Sequence, residues 1–148
     1  MEYKITNAKK RHIAQLEELE KVCFSMPWTA EQLEGQLPDK NHQFIVAESS
    51  EGEILGYVGM MYVIDEGYIS NVAVKPEYRR LHIAQALIEE LLNRGEKLGL
   101  SFISLEVRQS NDAARALYSK LGFEAAGLRK NYYDLPKEDA IIMTKFKK

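Results

Sequence analysis

Apolar residues recur along the chain in two periods, and the switches between them mark out elements. "YKITNA" (residues 3–8) alternates as a short strand does. Ile13, Leu16, Leu19 and Val22 then fall at helical spacing, which predicts an amphipathic helix that Pro27 interrupts. Thr29, with Gln32 three residues on, reads as a capping box opening a second short helix through Leu37. "QFIVAES" (43–49) and "ILGYVGMMYV" (54–63) are strand-like and joined by the turn signal "SEGE", a hairpin. "EGYISNVAV" (66–74) is a further strand, ending at Lys75–Pro76. A helix follows from about His82 to Leu98, with Ile83, Leu87 and Leu91 on one side and Gly99 as its stop. "SFISLEV" (101–107) returns to strand pattern. "SNDAARALYSKLGF" (110–123) is a helix with Asn111 as N-cap and Gly122 at its end. "FEAAGLRKNYY" and "EDAIIMTKF" close the chain as a pair of strands.

The order is therefore strand, two helices, three strands, helix, strand, helix, two strands. Early hairpins imply antiparallel pairing, and the central strand–helix–strand unit implies a parallel crossover. The predicted fold class is α/β, a mixed sheet of about seven strands with helices on both faces. There is no repeat, low-complexity tract or linker, so residues 1–148 read as a single domain. Ligands on such sheets favour the carboxyl ends of strands where the order changes. Here those ends are "NVAV" and "SLEV".

Composition narrows the field. With 20 Lys and Arg against 22 Asp and Glu, the net charge is −2, which argues against broad nucleic-acid binding. Cys23 is the only cysteine, so no disulfide forms within the chain, and a reducing compartment is expected. "MEYKITNAKKR" is too polar for a signal peptide and no run reaches transmembrane length, so a cytoplasmic protein without membrane attachment is expected. His12, His42 and His82 are scattered and form no ligand set with Cys23, so no metal is expected. Neither a Gly-x-Ser-x-Gly elbow nor a Gly-x-x-x-x-Gly-Lys-Ser/Thr loop is present.

Two stretches carry candidate chemistry. In "PEYRRLHIAQALIEELL" (76–92) a basic turn runs into a helix, where outward N–H groups and arginines suit an anion. Alone, it reads equally well as a surface turn. In "SLEVRQSNDAARALYSKLGF", Glu106 ends a strand and Tyr118 lies in the next helix, a pair able to act as base and acid. Spacing alone favours the plainer readings, an outward-facing strand residue and a half-buried tyrosine.

The stretch Asn71–Phe123 resembles the acetyl-CoA-binding half of the GNAT acetyltransferases. Their Arg/Gln-x-x-Gly-x-Gly/Ala loop aligns with Arg79–Arg80–Leu81–His82–Ile83–Ala84, in which His82 replaces a glycine. "SNDAARALYSKLGF" is a stronger match. With "RKNYYDLPKEDAIIM" and "CFSMPWTAEQLEGQL", nearly the whole chain resembles the bacterial ribosomal-protein-alanine N-acetyltransferases. The resemblance implies an acetyl-CoA-dependent enzyme acting on a protein N-terminus, with a ribosomal acceptor. It puts the general base on Glu106 and the general acid on Tyr118. It puts cofactor contacts on the backbone of Val72, Ala73 and Val74, on the loop Arg79, Arg80, Leu81, His82, Ile83, Ala84 and Gln85, and on Asn111. Trp28, Tyr132 and Tyr133 fall in the acceptor groove or its support.

The mechanism so implied is direct transfer. An N-terminal amine has a pKa of about 8, so a useful fraction is neutral near pH 7. Glu106 takes the proton as the amine attacks the thioester, backbone N–H groups hold the developing oxyanion, and Tyr118 protonates the thiolate. Two other readings stand beside it. One is an acetyltransferase for lysine or a small amine, which the "NYY" and "EDA" segments disfavour. The other is a non-catalytic acyl-CoA-binding domain, supported only by His82 in the loop. The first helical turn needs no positive φ, so His82 is expected with ordinary right-handed angles that leave the cradle intact.

Overall fold

The protein's structure, a computed structural model, describes residues 2–147. The strands are β1 (Tyr3–Asn7), β2 (His42–Ser49), β3 (Ile54–Val63), β4 (Glu66–Val74), β5 (Phe102–Arg108), β6 (Glu124–Asp134) and β7 (Lys137–Phe146). The helices are α1 (Ile13–Cys23), α2 (Ala30–Glu34), α3 (Ile83–Lys97) and α4 (Asp112–Lys120). Among the described residues, no helix is long and apolar enough to cross a membrane.

The seven strands form one mixed sheet in the order β1-β2-β3-β4-β5-β7-β6. Alternation sorts their side chains between two cores. Phe44 and Val46 of β2 join Leu16, Leu19 and Leu33 under α1 and α2. Ile45 and Ala47 face the other way and join Leu87, Ile88, Leu91 and Tyr118 of α3 and α4. Helices thus cover both faces, as the sequence predicts.

Local signals act where they were read. The Thr29 side chain accepts from the Gln32 N–H at 3.2 Å, and Gln32 Oε1 accepts from the Thr29 N–H at 2.9 Å. α2 nonetheless ends at Glu34, with Gly35 as its C-cap, short of the expected Leu37. Leu37 instead packs against the α1–α2 core. The Asn111 side chain caps α4 by accepting from the Ala114 N–H at 3.2 Å.

Two irregularities shape the molecule. β4 and β5 pair in parallel only at Glu66–Phe102, Gly67–Ile103 and Tyr68–Ser104, then separate. In β6, Arg129 pairs with Ala140 but Tyr133 pairs with Glu138, so extra residues bulge between them. Asn131 takes a φ of 54° in that bulge, and its N–H donates to Asp139 Oδ1 at 2.8 Å.

Candidate active site

The separation of β4 from β5 opens the sheet at the strand ends picked out in the sequence. β5 keeps β7 along its other edge as far as Arg108, and β4 keeps β3 as far as Val74. The β5-facing edge of Ile69–Val74 therefore has no strand partner. Backbone N–H and C=O groups in such a wedge need an occupant or water. A further bulge at Ser70, between the pairs Met60–Ile69 and Gly59–Asn71, re-aims the chain there. A cleft of about 600 Å³ lies over this gap.

The gap brings the expected catalytic pair to one cleft from different sides. Leu105 and Val107 pack into the α3–α4 core, so strand alternation turns Glu106 and Arg108 to the α1 face. Glu106 and Tyr118 both line the cleft. Arg129 Nε holds Glu106 Oε1 at 3.1 Å. The Tyr118 ring is buried against Phe123, and burial pushes its phenol up to about 12. It is therefore protonated at neutral pH.

The β6 bulge accounts for the paired tyrosines. In a regular strand, neighbours point to opposite faces. Here Tyr132 and Tyr133 both line the cleft, edge to face, with ring centroids 5.0 Å apart. Burial, then Tyr132 and Glu106, pushes Tyr133 up to about 12 as well. The Arg108 guanidinium lies 4.3 Å over the Tyr133 ring. Arg108 also donates to the carbonyls of Pro136 (2.8 Å) and Leu135 (3.2 Å), fixing the β6–β7 turn. The Ser25 hydroxyl donates to the Leu135 carbonyl, joining the α1–α2 loop to that turn across the cleft. Trp28 lines the cleft and packs on the α1–α2 core.

The expected cofactor segment runs on from the cleft. Val72 and Asn111 line the cleft itself. Ala73, Val74 and Ile83 have buried side chains, so only their backbones are on offer. Lys75 Nζ and the Tyr78 hydroxyl both donate to Glu53, at 2.7 and 2.9 Å, and pin the turn after β4 to the β2–β3 hairpin. Arg79 turns back along β4, with Nε 3.3 Å from the Val74 carbonyl and a guanidinium N–H on Cys23 Sγ at 3.7 Å. Leu81 is exposed, and Ala84 packs against the α3–α4 core. Gln85 accepts from Lys120 Nζ at 3.1 Å, bridging α3 and α4.

His82 departs from expectation. It caps α3 with φ 62° and ψ 21°, in the left-handed region, and Arg80 has φ 67°. The turn thus holds two non-glycine residues in a backbone region that favours glycine. Each side chain there costs about 1–2 kcal/mol. The backbone N–H groups are kept, and they lie at the start of α3, where N–H groups suit an anion.

Four residues at this site are not among the candidates singled out in the sequence. Glu20, Asn71 and Arg108 line the cleft, and Arg129 holds Glu106. Glu20 alone had a legible clue. It lies four residues after Leu16 on the apolar stripe of α1, where a carboxylate is out of place.

The sequence itself matches a family model across most of this fold. That of the acetyltransferase (GNAT) family matches residues 13–123. The chain is a GNAT acetyltransferase. Among its GNAT relatives, the [ribosomal protein bS18]-alanine N-acetyltransferase of Escherichia coli K12 is 36% identical over 127 residues, 84% of each chain. The enzyme of that name from Haemophilus ducreyi is 32% identical, covering 87% of this chain and 90% of its own. The crystal structure of the Escherichia coli ribosomal-protein-S18-alanine N-acetyltransferase superposes with a TM-score of 0.90 at 31% identity, covering 98% and 94% of the two chains. Arabidopsis thaliana NAA60 in complex with acetyl-CoA shares the fold, at TM-score 0.89 and 17% identity over 98% of each chain. As a GNAT enzyme, the protein is an acetyl-CoA-dependent acetyltransferase.

Proposed function

We propose that this GNAT enzyme acetylates the α-amino group of a protein N-terminus, with an alanine-headed small-subunit ribosomal protein as acceptor. The names of its bacterial relatives support the acceptor, since they match over more than four-fifths of both chains. An acceptor of that kind is met in the cytoplasm. The observation that carries the reading is the roofed gap, with Glu106 and Tyr118 reaching one cleft and the Ser25–Leu135 contact spanning it. A roof over the cleft favours an extended chain end entering head-first over a side chain from mid-sequence.

Acetyl-CoA supplies the activated acetyl thioester and a thiol leaving group. The free edge of β4 has backbone groups to take its extended arm as a strand would be taken. The turn Arg79–Gln85 and the start of α3 offer N–H groups and positive charge to its phosphates, with Asn111 on the opposite bank. Glu106, directly or through one water, removes the proton lost by the attacking amine. N–H groups near the Ser70 bulge stabilise the oxyanion. Tyr118 returns a proton to the departing thiolate, and Trp28, Tyr132 and Tyr133 hold the acceptor.

The test is a peptide panel, read by mass spectrometry. One peptide has a free N-terminal alanine, one an acetyl-blocked N-terminus and an internal lysine. Acetylation of the free α-amine, with the blocked peptide inert, is the expected result. Faster modification of the lysine overturns the reading.

A further inference from the structure

Glu20 is a buried carboxyl group in the wall of the cleft. Glu20 Oε1 accepts from the Trp28 N–H at 2.8 Å, and Oε2 accepts from Asn71 Nδ2 at 3.0 Å. Both donors are neutral. Among the described residues, no lysine, arginine or histidine pairs with it. The other groups facing it give no relief: Cys23 on its own helix is a thiol that takes its contact from Arg79, and Glu17 is occupied with the Ala30 N–H. Glu48, the other buried glutamate, is held by Arg11 and His12.

A buried carboxylate without a counter-charge is costly, and its burial disfavours the ionised form. Each oxygen accepts one hydrogen bond and keeps capacity for another. Glu20 comes from α1, and Glu106 faces the same side of the sheet, so two carboxylates meet the acceptor's side of the gap. Only Glu106 has a cation. An N-terminal amine with a pKa of about 8 arrives at neutral pH mostly as ammonium.

We propose that Glu20 is the counter-charge for the acceptor's α-ammonium: a buried carboxylate that draws the charged amine into the cleft and positions it for Glu106. This rests on the N-terminal reading above. It divides the work between two acids. Glu20 attracts the charge, and Glu106 takes the proton. The arrangement also fixes geometry, since the same carboxylate holds the α1–α2 loop at Trp28 and β4 at Asn71, beside the bulge.

Glu20→Gln separates charge from shape. A glutamine can still accept from the Trp28 N–H, and the Asn71 amide can turn to accept from it, so the structural ties survive. Binding is measured by calorimetry with CoA bound, so that no transfer occurs. The ligands are an alanine-headed peptide and its propionyl counterpart, in which hydrogen replaces the amine. The native protein should bind the amine peptide at least tenfold tighter, and Glu20→Gln should lose that preference while keeping its CoA affinity and Tm. In turnover, Glu20→Gln should raise the peptide KM tenfold or more with less change in kcat, and Glu20→Asp, which keeps the charge, should restore much of the preference. Equal binding of the two peptides by the native protein overturns the proposal without any variant. So does a Glu20→Gln protein with native KM and preference, which would leave Glu20 a structural tie only. The N-terminal reading fails separately, if the native protein acetylates lysine in preference to any N-terminus.

Discussion

At the scale of single residues, Glu106 and Tyr118, the proposed base and acid, sit in unlike surroundings. Arg129 holds Oε1 of Glu106, and among the described residues none hydrogen-bonds its other oxygen, which would face an incoming amine or water. Burial pushes the Tyr118 phenol further up, to about 12, so it stays protonated well into alkaline pH, the right state for a donor. Glu106→Gln should lower kcat by about 100- to 10,000-fold, the usual contribution of a general base, with CoA affinity unchanged. The deficit should narrow as pH rises toward the amine's pKa and less proton removal is needed. Near-native turnover at pH 7 would take Glu106 out of the mechanism. Tyr133, raised to about 12 like Tyr118, is the rival donor, and kinetics separate the two. Tyr118→Phe should cut single-turnover transfer with CoA still bound. Tyr133→Phe, which loses only the hydroxyl and keeps the ring that Arg108 stacks on, should leave single-turnover transfer near native. The reverse pattern would exchange their roles.

At the scale of elements, what could be read in advance followed local rules. The Thr29–Gln32 box, the Asn111 cap and the β2–β3 hairpin each depend on neighbours in sequence, and each is where its signal put it. The gap between β4 and β5 could be anticipated only in part. Strand order marks which ends face a crossover, but no pattern tells where pairing stops. The β6 bulge was hidden for the same reason, since "RKNYY" carries no glycine to announce it. Arg129 meets Glu106 across strands distant in sequence, which periodicity cannot foresee. His82 misled in the other direction. Its place at a helix start suggested right-handed angles, whereas the turn imposes φ 62°. A measurable strain follows. His82→Gly should relieve about 1–2 kcal/mol of left-handed cost, less roughly 0.5–1 kcal/mol for glycine's greater freedom when unfolded. A net gain of about 1 kcal/mol in urea denaturation, with CoA binding retained, is expected. A loss of stability would mean that the imidazole makes contacts worth more than the strain.

At the scale of the whole molecule, the cleft depends on α1 being held in place, and α1 is anchored by charge. Immediately before it, Arg11 donates to both oxygens of Glu48 on β2, at 2.7 and 3.1 Å, and His12 Nε2 lies 3.3 Å from one of them. The Lys9 N–H donates to His12 Nδ1, so the neutral ring carries its proton on Nε2, facing Glu48. The Arg11 hydrogen bonds, with a smaller part from His12, hold Glu48 down to about 2 from 4.5. The unfolded chain therefore binds this proton first. The contribution of Glu48 is complete above about pH 4.5 and is lost as pH falls toward about 2. Burial also pushes His12 below its ordinary 6.5, so its unfolded form again takes the proton first, and stability declines in the same direction below that value. Both groups thus predict a protein that is most stable near neutrality and loses α1 in acid. Glu48→Gln keeps an acceptor for His12 but removes the charge. It should lower stability at pH 7, because Arg11 keeps an acceptor but loses its counter-charge, and only modestly, since the Arg11 side chain is largely exposed. It should also flatten the fall between pH 4.5 and 2, because the group that titrates there is gone. Denaturation midpoints at pH 3, 5 and 7 decide it. An acid slope as steep in Glu48→Gln as in the native protein would move the origin of acid sensitivity to other carboxylates, and α1 would owe its place to its apolar face alone.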